Sequence, residues 1–433
     1  MSKIRKEIEY GIYFLVYGSS FILSSMGHHY ISGMLLMLLA VWLYGITVYE
    51  THNPVDLKAL LALSWIGGQG LACLQLSYLQ KDWQVETWVC FLLVYLCFCI
   101  GYNKKWKKES LECEMIQSDI IAHKIFHCAA ILAVVSVVCF SVEAIIIGYI
   151  PLFSKLPHAY SYFHISGVHY FTISCILIPA LTVIYAKLSV EQSRWRVLVL
   201  GICNCIAVAI PVLCVSRFQL LFAVAFALVI YLLIFKKISI KTILILVCLM
   251  VPVYIALTIA RNHNISYLNG IFEMKYGKMP IFITQPYMYV ANNYENFNCM
   301  VEQLVRHTYG LKMLFPVFAL SGMKFLFPQL VAFVPFITKP ELTTLTMFYD
   351  AYYDFGMIGI IGFSIVLGLA ACKIKTAVQT CGNPIVYLYY GQIAIYLALS
   401  FFTTWFSNPT TWFWLALTTM MYVYVGYSKK EET

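Results

Sequence analysis

The sequence has little charge for its length. Of its 433 residues only 11% are Asp, Glu, Lys or Arg, whereas 61% are hydrophobic. Soluble domains carry about 25% charged residues, so this composition excludes an ordinary soluble protein and predicts an integral membrane protein. The net charge of +9 is divided among the segments that join apolar stretches. We therefore do not interpret it as a nucleic-acid-binding feature.

The sequence also lacks the marks of a multidomain or disulfide-linked protein. It contains no Pro/Ser-rich linker and no low-complexity tract, which favours a single membrane domain over residues 1–433. None of its 15 cysteines forms a Cys-x-x-Cys pair, and most lie within apolar stretches. Buried packing explains such thiols better than a disulfide framework does. We expect neither a metal nor a cofactor.

Long apolar stretches fill most of the chain. A helix needs about 20 largely apolar residues to cross a bilayer, and twelve stretches qualify. They are residues 9–27, 31–49, 57–79, 85–102, 125–148, 168–187, 196–215, 217–235, 241–260, 355–373, 384–403 and 411–427. Lys and Arg concentrate in alternate short loops, which places those loops in the cytoplasm. The predicted fold is thus an all-α polytopic membrane protein with about 12 spans and both termini cytoplasmic.

The long segment 261–354 is the exception to this pattern, since it is mixed in polarity and lies between two predicted spans. Its apolar parts, 311–327 and 330–337, are short and interrupted by prolines. A single crossing there would place the later basic loops outside, against the positive-inside rule. We therefore expect a large external loop that contains short surface or re-entrant helices, which are tolerated where protein or water covers the backbone.

Three residues near predicted span ends could carry chemistry. Arg217 lies in a very short turn and is either an interfacial anchor or an anion ligand, because a guanidinium can hold two phosphate oxygens at once. His169 begins a predicted helix and is either a base or a polar cap. Glu143 is an intramembrane carboxylate and hence a functional candidate, unless it is simply buried and hydrogen-bonded.

The external segment holds a second set of candidates. Asp350 and Asp354 are four residues apart and would share a helix face. Two carboxylates there could orient a hydroxyl or act as a base, or could cap the helix that begins near Phe355. The density of Tyr and Asn suits sugar recognition, although the same residues are also ordinary loop formers.

Four features, taken in order, resemble the Wzy-type polymerases that join oligosaccharide repeat units of O-antigens and capsules. They are Gly-Tyr-Ile-Pro-Leu-Phe at 148–153, Ser-Arg at 216–217, a large external loop containing Tyr289–Phe297, and Tyr-Tyr-Asp-Phe-Gly-Met-Ile-Gly at 352–359. The topology is similar over the whole chain, whereas specific residues match only at these places.

The resemblance implies a metal-independent glycosyltransferase in the bacterial inner membrane, working on its periplasmic side. The growing glycan on undecaprenyl diphosphate would be transferred to one lipid-linked repeat, with a chain-length regulator and a flippase as partners. The implied roles are diphosphate binding for Arg217, Arg261 and Arg306, and catalysis for Asp350, Asp354 and His169. Tyr289, Asn293 and Tyr353 are the implied sugar contacts.

Two alternative functions share the predicted topology. An O-antigen ligase also has many spans and a large external loop. A lipid-linked oligosaccharide flippase is the alternative from another class, but transporters commonly show paired repeats and interrupted helices near the midplane. No internal repeat is visible in this sequence, and its polar groups cluster in the external segments.

Overall fold

The computed structural model describes residues 3–104, 117–154, 159–191, 193–236, 248, 252, 265–380 and 382–426. This part of the chain is helical and contains no β-strand. Seven helices are long and apolar enough to cross a membrane. They are His29–Thr51, Val85–Tyr102, Asp119–Ile147, Val168–Leu188, Arg194–Leu213, Arg217–Phe235 and Tyr349–Thr380. The prediction of an α-helical, multi-pass membrane protein is confirmed at this level.

The other predicted spans stay predictions. Lys3–Ser25 is long enough to cross but begins with charged residues. Leu57–Cys73 is a shorter apolar helix, and Val386–Ala398 and Pro409–Val425 have 13 and 17 residues. The predicted span 241–260 lies outside the described residues, apart from two isolated positions.

The contacts divide the chain into two compact units. The first unit combines residues 1–106, 264–373 and 396–412. Its core is a cluster of aromatic rings around Trp65, whose ring centroid lies 5.4 Å from Phe91, 5.2 Å from Tyr294 and 4.8 Å from Phe348. Such pairs contribute about 0.5–1.5 kcal/mol each beyond burial, so this cluster ties sequence-distant segments together.

The segment 261–354, which the sequence predicts to be an external loop, contributes the helix Ile281–Gln303, which we call the asparagine helix. Its four asparagines are buried, and three of them bond to the backbone of other segments. Asn296 donates from Nδ2 to the carbonyls of Leu342 and Thr344 at 2.8 and 2.9 Å, and Asn298 accepts from the Gln84 N–H at 3.0 Å. These bonds satisfy backbone groups that a buried irregular segment would otherwise leave unpaired.

Besides the predicted short helices, this segment contains the 23-residue asparagine helix, which the sequence did not predict. Its side chains are too polar to show an apolar stripe, because amides replace hydrophobic residues at its buried positions. Between 311 and 337 the helices are short, as expected: Phe315–Leu320, Met323–Leu326 and the 3₁₀ turn Pro328–Val331. None of these three approaches the length of a span.

The second unit combines residues 107–263, 374–395 and 413–433, of which the structure describes part. Phe226 packs between Phe222 and Trp414, with centroids 5.8 and 6.3 Å away. Gly391 lies against Ile230, where a methyl group would approach the Ile230 side chain at 3.1 Å. Close helix approach of this kind is typical of packing between membrane helices.

Candidate functional site

The first unit contains a cavity of about 460 Å³, a size typical of small-molecule sites. We call it the lysine pocket. Its lining residues are Lys312, Phe315, Val331, Phe333, Leu345, Asp350, Thr404, Ser407, Asn408 and Pro409. Three stretches that are far apart in sequence thus meet at one cavity: the 312–333 region, the start of the helix Tyr349–Thr380, and the 404–409 turn.

The pocket is centred on a buried ion pair. Lys312 Nζ lies 3.5 Å from Asp350 Oδ1, and the two side chains are only 14% and 5% exposed. The ammonium also lies over aromatic rings, 4.5 Å from the Tyr353 centroid and 5.1 Å from that of Phe333. The rings and the carboxylate together offset the cost of withdrawing a cation from water.

Hydroxyl groups complete the polar wall. Thr404 and Ser407 face the Asp350 carboxylate, and Asn408 lines the same cavity. The pocket therefore offers an acceptor, a cation with two further N–H donors, and neutral groups that both donate and accept. The remaining lining is apolar and includes the aromatic side chains of Phe315 and Phe333. This combination suits a polyhydroxylated ligand, with room for an anionic group beside Lys312.

Asp354 is fully buried and has a different task from Asp350. Its carboxylate accepts hydrogen bonds from the Thr308 hydroxyl and from the backbone N–H groups of Lys312 at 3.1 Å and Met313 at 2.8 Å. These donors precede it by about 40 residues, so it does not cap its own helix. The geometry favours a structural role, in which Asp354 holds the 308–313 loop and thereby places Lys312.

The helix Tyr349–Thr380, here called the kinked helix, changes direction at Gly356. Gly356 has φ +61° and ψ −146°, a conformation that is open in practice only to glycine. The Tyr353 carbonyl accepts a hydrogen bond from His307 Nδ1 at 3.2 Å. The kink explains why a glycine follows Tyr-Tyr-Asp-Phe in the sequence. Because the helix bends at this glycine, its first two turns end beside the 307–313 loop.

The predicted sugar contacts fall into different environments. Asn293 is fully buried, and its amide is already used: Nδ2 donates to the carbonyls of Tyr289 and Phe401 at 2.7 Å, and Oδ1 accepts from Thr344 at 2.6 Å. This favours a structural role for Asn293. Tyr289 is half-buried and lies 6.1 Å from Phe402. Tyr353 is buried with its ring against Lys312, so it supports the pocket.

A second constellation lies in the second unit. Glu143 is fully buried on the helix Asp119–Ile147, and both of its carboxylate oxygens face His169 Nδ1, at 3.1 and 3.2 Å. It also accepts from the Ile165 N–H at 2.9 Å and the Thr172 hydroxyl at 2.7 Å. The sequence indicates Glu143 and His169 only as separate candidates. The structure shows that they form one pair.

The three predicted diphosphate ligands are distributed as follows. Arg217 is the first residue of the helix Arg217–Phe235 and is buried. In sequence it lies between Val215 and Leu220, whose side chains form a small apolar cluster with Leu152 and Tyr160. Arg306 is exposed, in the bend after the asparagine helix. Arg261 lies outside the described residues. Arg217 belongs to the second unit and Arg306 to the first.

Sequence reasoning missed Lys312, Thr404, Ser407 and Asn408. Lys312 falls in a largely apolar stretch, where its positive charge argues only against a membrane crossing. The 404–409 turn lies in a short gap between two predicted spans, where polar residues are expected without any function. A signal was nonetheless present, because Thr-Thr-Trp-Phe-Ser-Asn is an unusually polar sequence at the mouth of two apolar helices.

No protein-family model matches the chain, and comparison with curated proteins and with solved structures found no significant match either. The fold and the site therefore define the class as a helical multi-pass membrane protein with a polar, ion-paired pocket.

Proposed function

We propose that the protein is a membrane glycosyltransferase that joins oligosaccharide repeat units carried on a lipid diphosphate. The observation that carries the proposal is the lysine pocket, where the buried pair Lys312–Asp350 faces a cavity lined by hydroxyl, amide and aromatic groups. It lies beside the Tyr352–Gly359 sequence on which the resemblance to Wzy-type polymerases rests. Sugars need hydrogen-bonding groups together with apolar ring faces, and this pocket supplies both.

The proposed reaction transfers the growing glycan from undecaprenyl diphosphate to a hydroxyl of a new lipid-linked repeat. Asp350 accepts a hydrogen bond from that hydroxyl and orients it, which lowers the entropic part of the barrier. Lys312 provides positive charge beside the reacting sugar. Positive groups that are already in place stabilise charge as it develops on a leaving group. Arg217, Arg261 and Arg306 stay the predicted ligands of the diphosphate.

The same proposal implies a cellular location and two partner proteins. The enzyme would work in the bacterial inner membrane with its site on the periplasmic side, and it would receive substrate from a flippase. A chain-length regulator would act on the same growing glycan. The residues of the pocket need no cofactor for this reaction, since the lipid diphosphate is already an activated leaving group.

The proposal is tested by deleting the gene in its own host and restoring it with variants. We expect the wild-type chain to restore long surface glycans, and Lys312→Ala and Asp350→Asn to give single repeats. Removing one positioned electrostatic or acid–base group costs about 10²–10⁴-fold in rate. Glycan length is read from gels of surface polysaccharide, and the amount of each variant from immunoblots of membranes.

Lys339→Ala is the matched control. Lys339 belongs to the same segment and is also ion-paired, with Glu273 at 2.6 Å, but it lies outside the lysine pocket. Long glycans in both pocket variants would refute the assignment of the site. If deletion instead leaves the acceptor core without any repeat, the protein is a ligase; if lipid-linked repeats accumulate on the cytoplasmic face, it is a flippase.

A further inference from the structure

Six large apolar side chains are exposed in the segment that follows the 308–313 loop. We call them the apolar ledge: Leu314, Val317, Leu320, Phe325, Leu326 and Phe327, each between 43% and 74% exposed. Most of them lie on the short helices Phe315–Leu320 and Met323–Leu326, which contact each other. Exposed apolar groups concentrated in this way mark surfaces that bind another protein or a membrane.

The first of these helices also contributes to the lysine pocket. Phe315 lines the cavity, whereas Leu314, Val317 and Leu320 are exposed. Because these three are spaced three residues apart, they share one face of the helix, and Phe315 lies on another. A single short helix therefore faces the cavity on one side and carries the ledge on a different side.

The ledge continues an apolar surface that begins on the kinked helix. That helix is long and apolar enough to cross a membrane, and Phe355 and Ile358 are exposed on it. A methyl group added to Gly310 would lie 3.4 Å from the Phe355 ring, and the Leu314 N–H donates to the Gly310 carbonyl at 2.9 Å. The ledge thus starts within one turn of a side chain that belongs to the lipid-facing surface of a candidate span.

The charge around the ledge suits lipid headgroups. Residues 303–340 contain no Asp or Glu, so no carboxylate of this stretch repels a phosphate. Lys324 lies within the ledge, with its ammonium 4.9 Å from the centroid of the Phe325 ring. Lysine is depleted at protein–protein interfaces, whereas lysine beside aromatic and apolar groups is typical of segments that lie in a membrane surface.

We propose that the apolar ledge is docked in the surface layer of the membrane that the kinked helix crosses, with phospholipid as its partner. The apolar side chains lie among the lipid tails, and the flexible stem of Lys324 lets its ammonium reach the phosphates. The two short helices are far too short to cross. A deep re-entrant arrangement is disfavoured because it would carry the Lys324 charge into hydrocarbon.

Docking of the ledge places one wall of the lysine pocket beside the bilayer, because Phe315 belongs to both. A ligand whose sugars occupy the pocket can then keep its hydrocarbon anchor among the lipids. This supply of ligand from the bilayer rests on the proposed function, whereas the docking itself does not.

The first test uses photoreactive benzoylphenylalanine in place of Phe325. The full chain is reconstituted in vesicles of phosphatidylethanolamine and phosphatidylglycerol that carry an alkyne at the end of an acyl chain. We expect illumination to attach lipid to the protein, which a dye coupled to the alkyne shows on a gel. The same group at Ile358 is the positive control. At Val305, which is fully exposed beside Arg306, it should give only background labelling.

The second test places a charge in the ledge. Leu326 is 74% exposed, so Leu326→Asp should leave the thermal midpoint unchanged, but a carboxylate is excluded from hydrocarbon. We expect it to reduce lipid labelling at position 325 to the level seen at position 305. Val305→Asp makes the same change of charge outside the ledge, and labelling at position 325 should stay as in the parent protein.

Strong lipid labelling at position 358 with none at position 325 would overturn the docking, since water would then cover the ledge. A photoproduct of twice the mass of the chain would overturn it too, because a second copy would be the partner. Elongation of lipid-linked repeats at the full rate by Leu326→Asp would overturn only the supply of ligand from the bilayer. If wild-type vesicles do not elongate at all, the proposed function fails, and lipid labelling still decides the docking.

Discussion

Glu295 is a single carboxylate that the fold buries almost completely. It is 1% exposed on the asparagine helix, and its Oε2 accepts from the Trp83 indole at 3.1 Å. Burial raises the pKa of Glu295 to about 7 against the opposing effect of that hydrogen bond. The native protein therefore holds a proton that the unfolded chain releases near pH 4.5.

This difference in proton binding makes the free energy of unfolding depend on pH. Between about pH 4.5 and 7 the folded state binds more protons than the unfolded state, so stability falls as pH rises through that range, by about 3 kcal/mol in all. We expect Glu295→Gln, which is neutral at every pH, to raise the thermal midpoint at pH 8 and to leave it almost unchanged near pH 5. Thermal unfolding in detergent at both pH values measures this.

Glu191→Gln is the control for that measurement. Glu191 belongs to the second unit and is exposed, so water screens its charge in both states and its replacement should not alter the pH dependence. An equal midpoint shift at pH 5 and pH 8 in Glu295→Gln would show that packing, and not proton uptake, causes the effect.

Two aspartates of one short motif illustrate why residue type alone does not assign a role. Asp350 and Asp354 are one helical turn apart, as the sequence predicts. The kink and the 308–313 loop give them opposite surroundings, because Asp354 receives three donors from that loop whereas Asp350 faces Lys312 and a cavity. Only the second arrangement places a carboxylate at the wall of a cavity.

Among the helices, the kinked helix positions Asp350 and Asp354 through the backbone conformation of one glycine. Gly356 adopts φ +61°, and a methyl group there would approach His307 Nε2 at 3.1 Å. We expect Gly356→Ala to destabilise the protein by about 1–3 kcal/mol and to shorten surface glycans, because the turn that holds Asp350 and Asp354 would shift. Thermal midpoint and glycan length measure the two effects.

Gly362→Ala is the matched variant on the same helix. Gly362 has no neighbour within 4 Å of the added methyl group, and a helical alanine is favoured over glycine by about 1 kcal/mol. It should therefore leave activity unchanged and raise stability slightly. Equal behaviour of the two alanine variants would mean that the kink is not required.

At the scale of the whole molecule, hydropathy predicts the long apolar helices well, because a bilayer demands about 20 apolar residues whatever the rest of the chain does. The asparagine helix escaped prediction because its buried positions are amides that bond to distant backbone. The roles of Lys312 and the 404–409 turn were not predicted for a related reason. The pairing with Asp350 depends on tertiary contacts between segments some 40 to 90 residues apart, and local periodicity carries no information about such contacts.

The number of membrane crossings determines the side on which each loop lies. Seven of the described helices are candidate spans, and seven crossings would place the two termini on opposite sides. The basic loops favour both termini in the cytoplasm, so an odd number of the remaining predicted stretches must also cross. We expect an epitope inserted after Ser321, an exposed position, to bind antibody in spheroplasts. Epitopes after Glu191 and at the C-terminus should bind only after lysis. A Ser321 epitope that is protected until lysis would place the lysine-pocket segment inside the cell, where transfer from an outward-facing lipid-linked glycan could not occur.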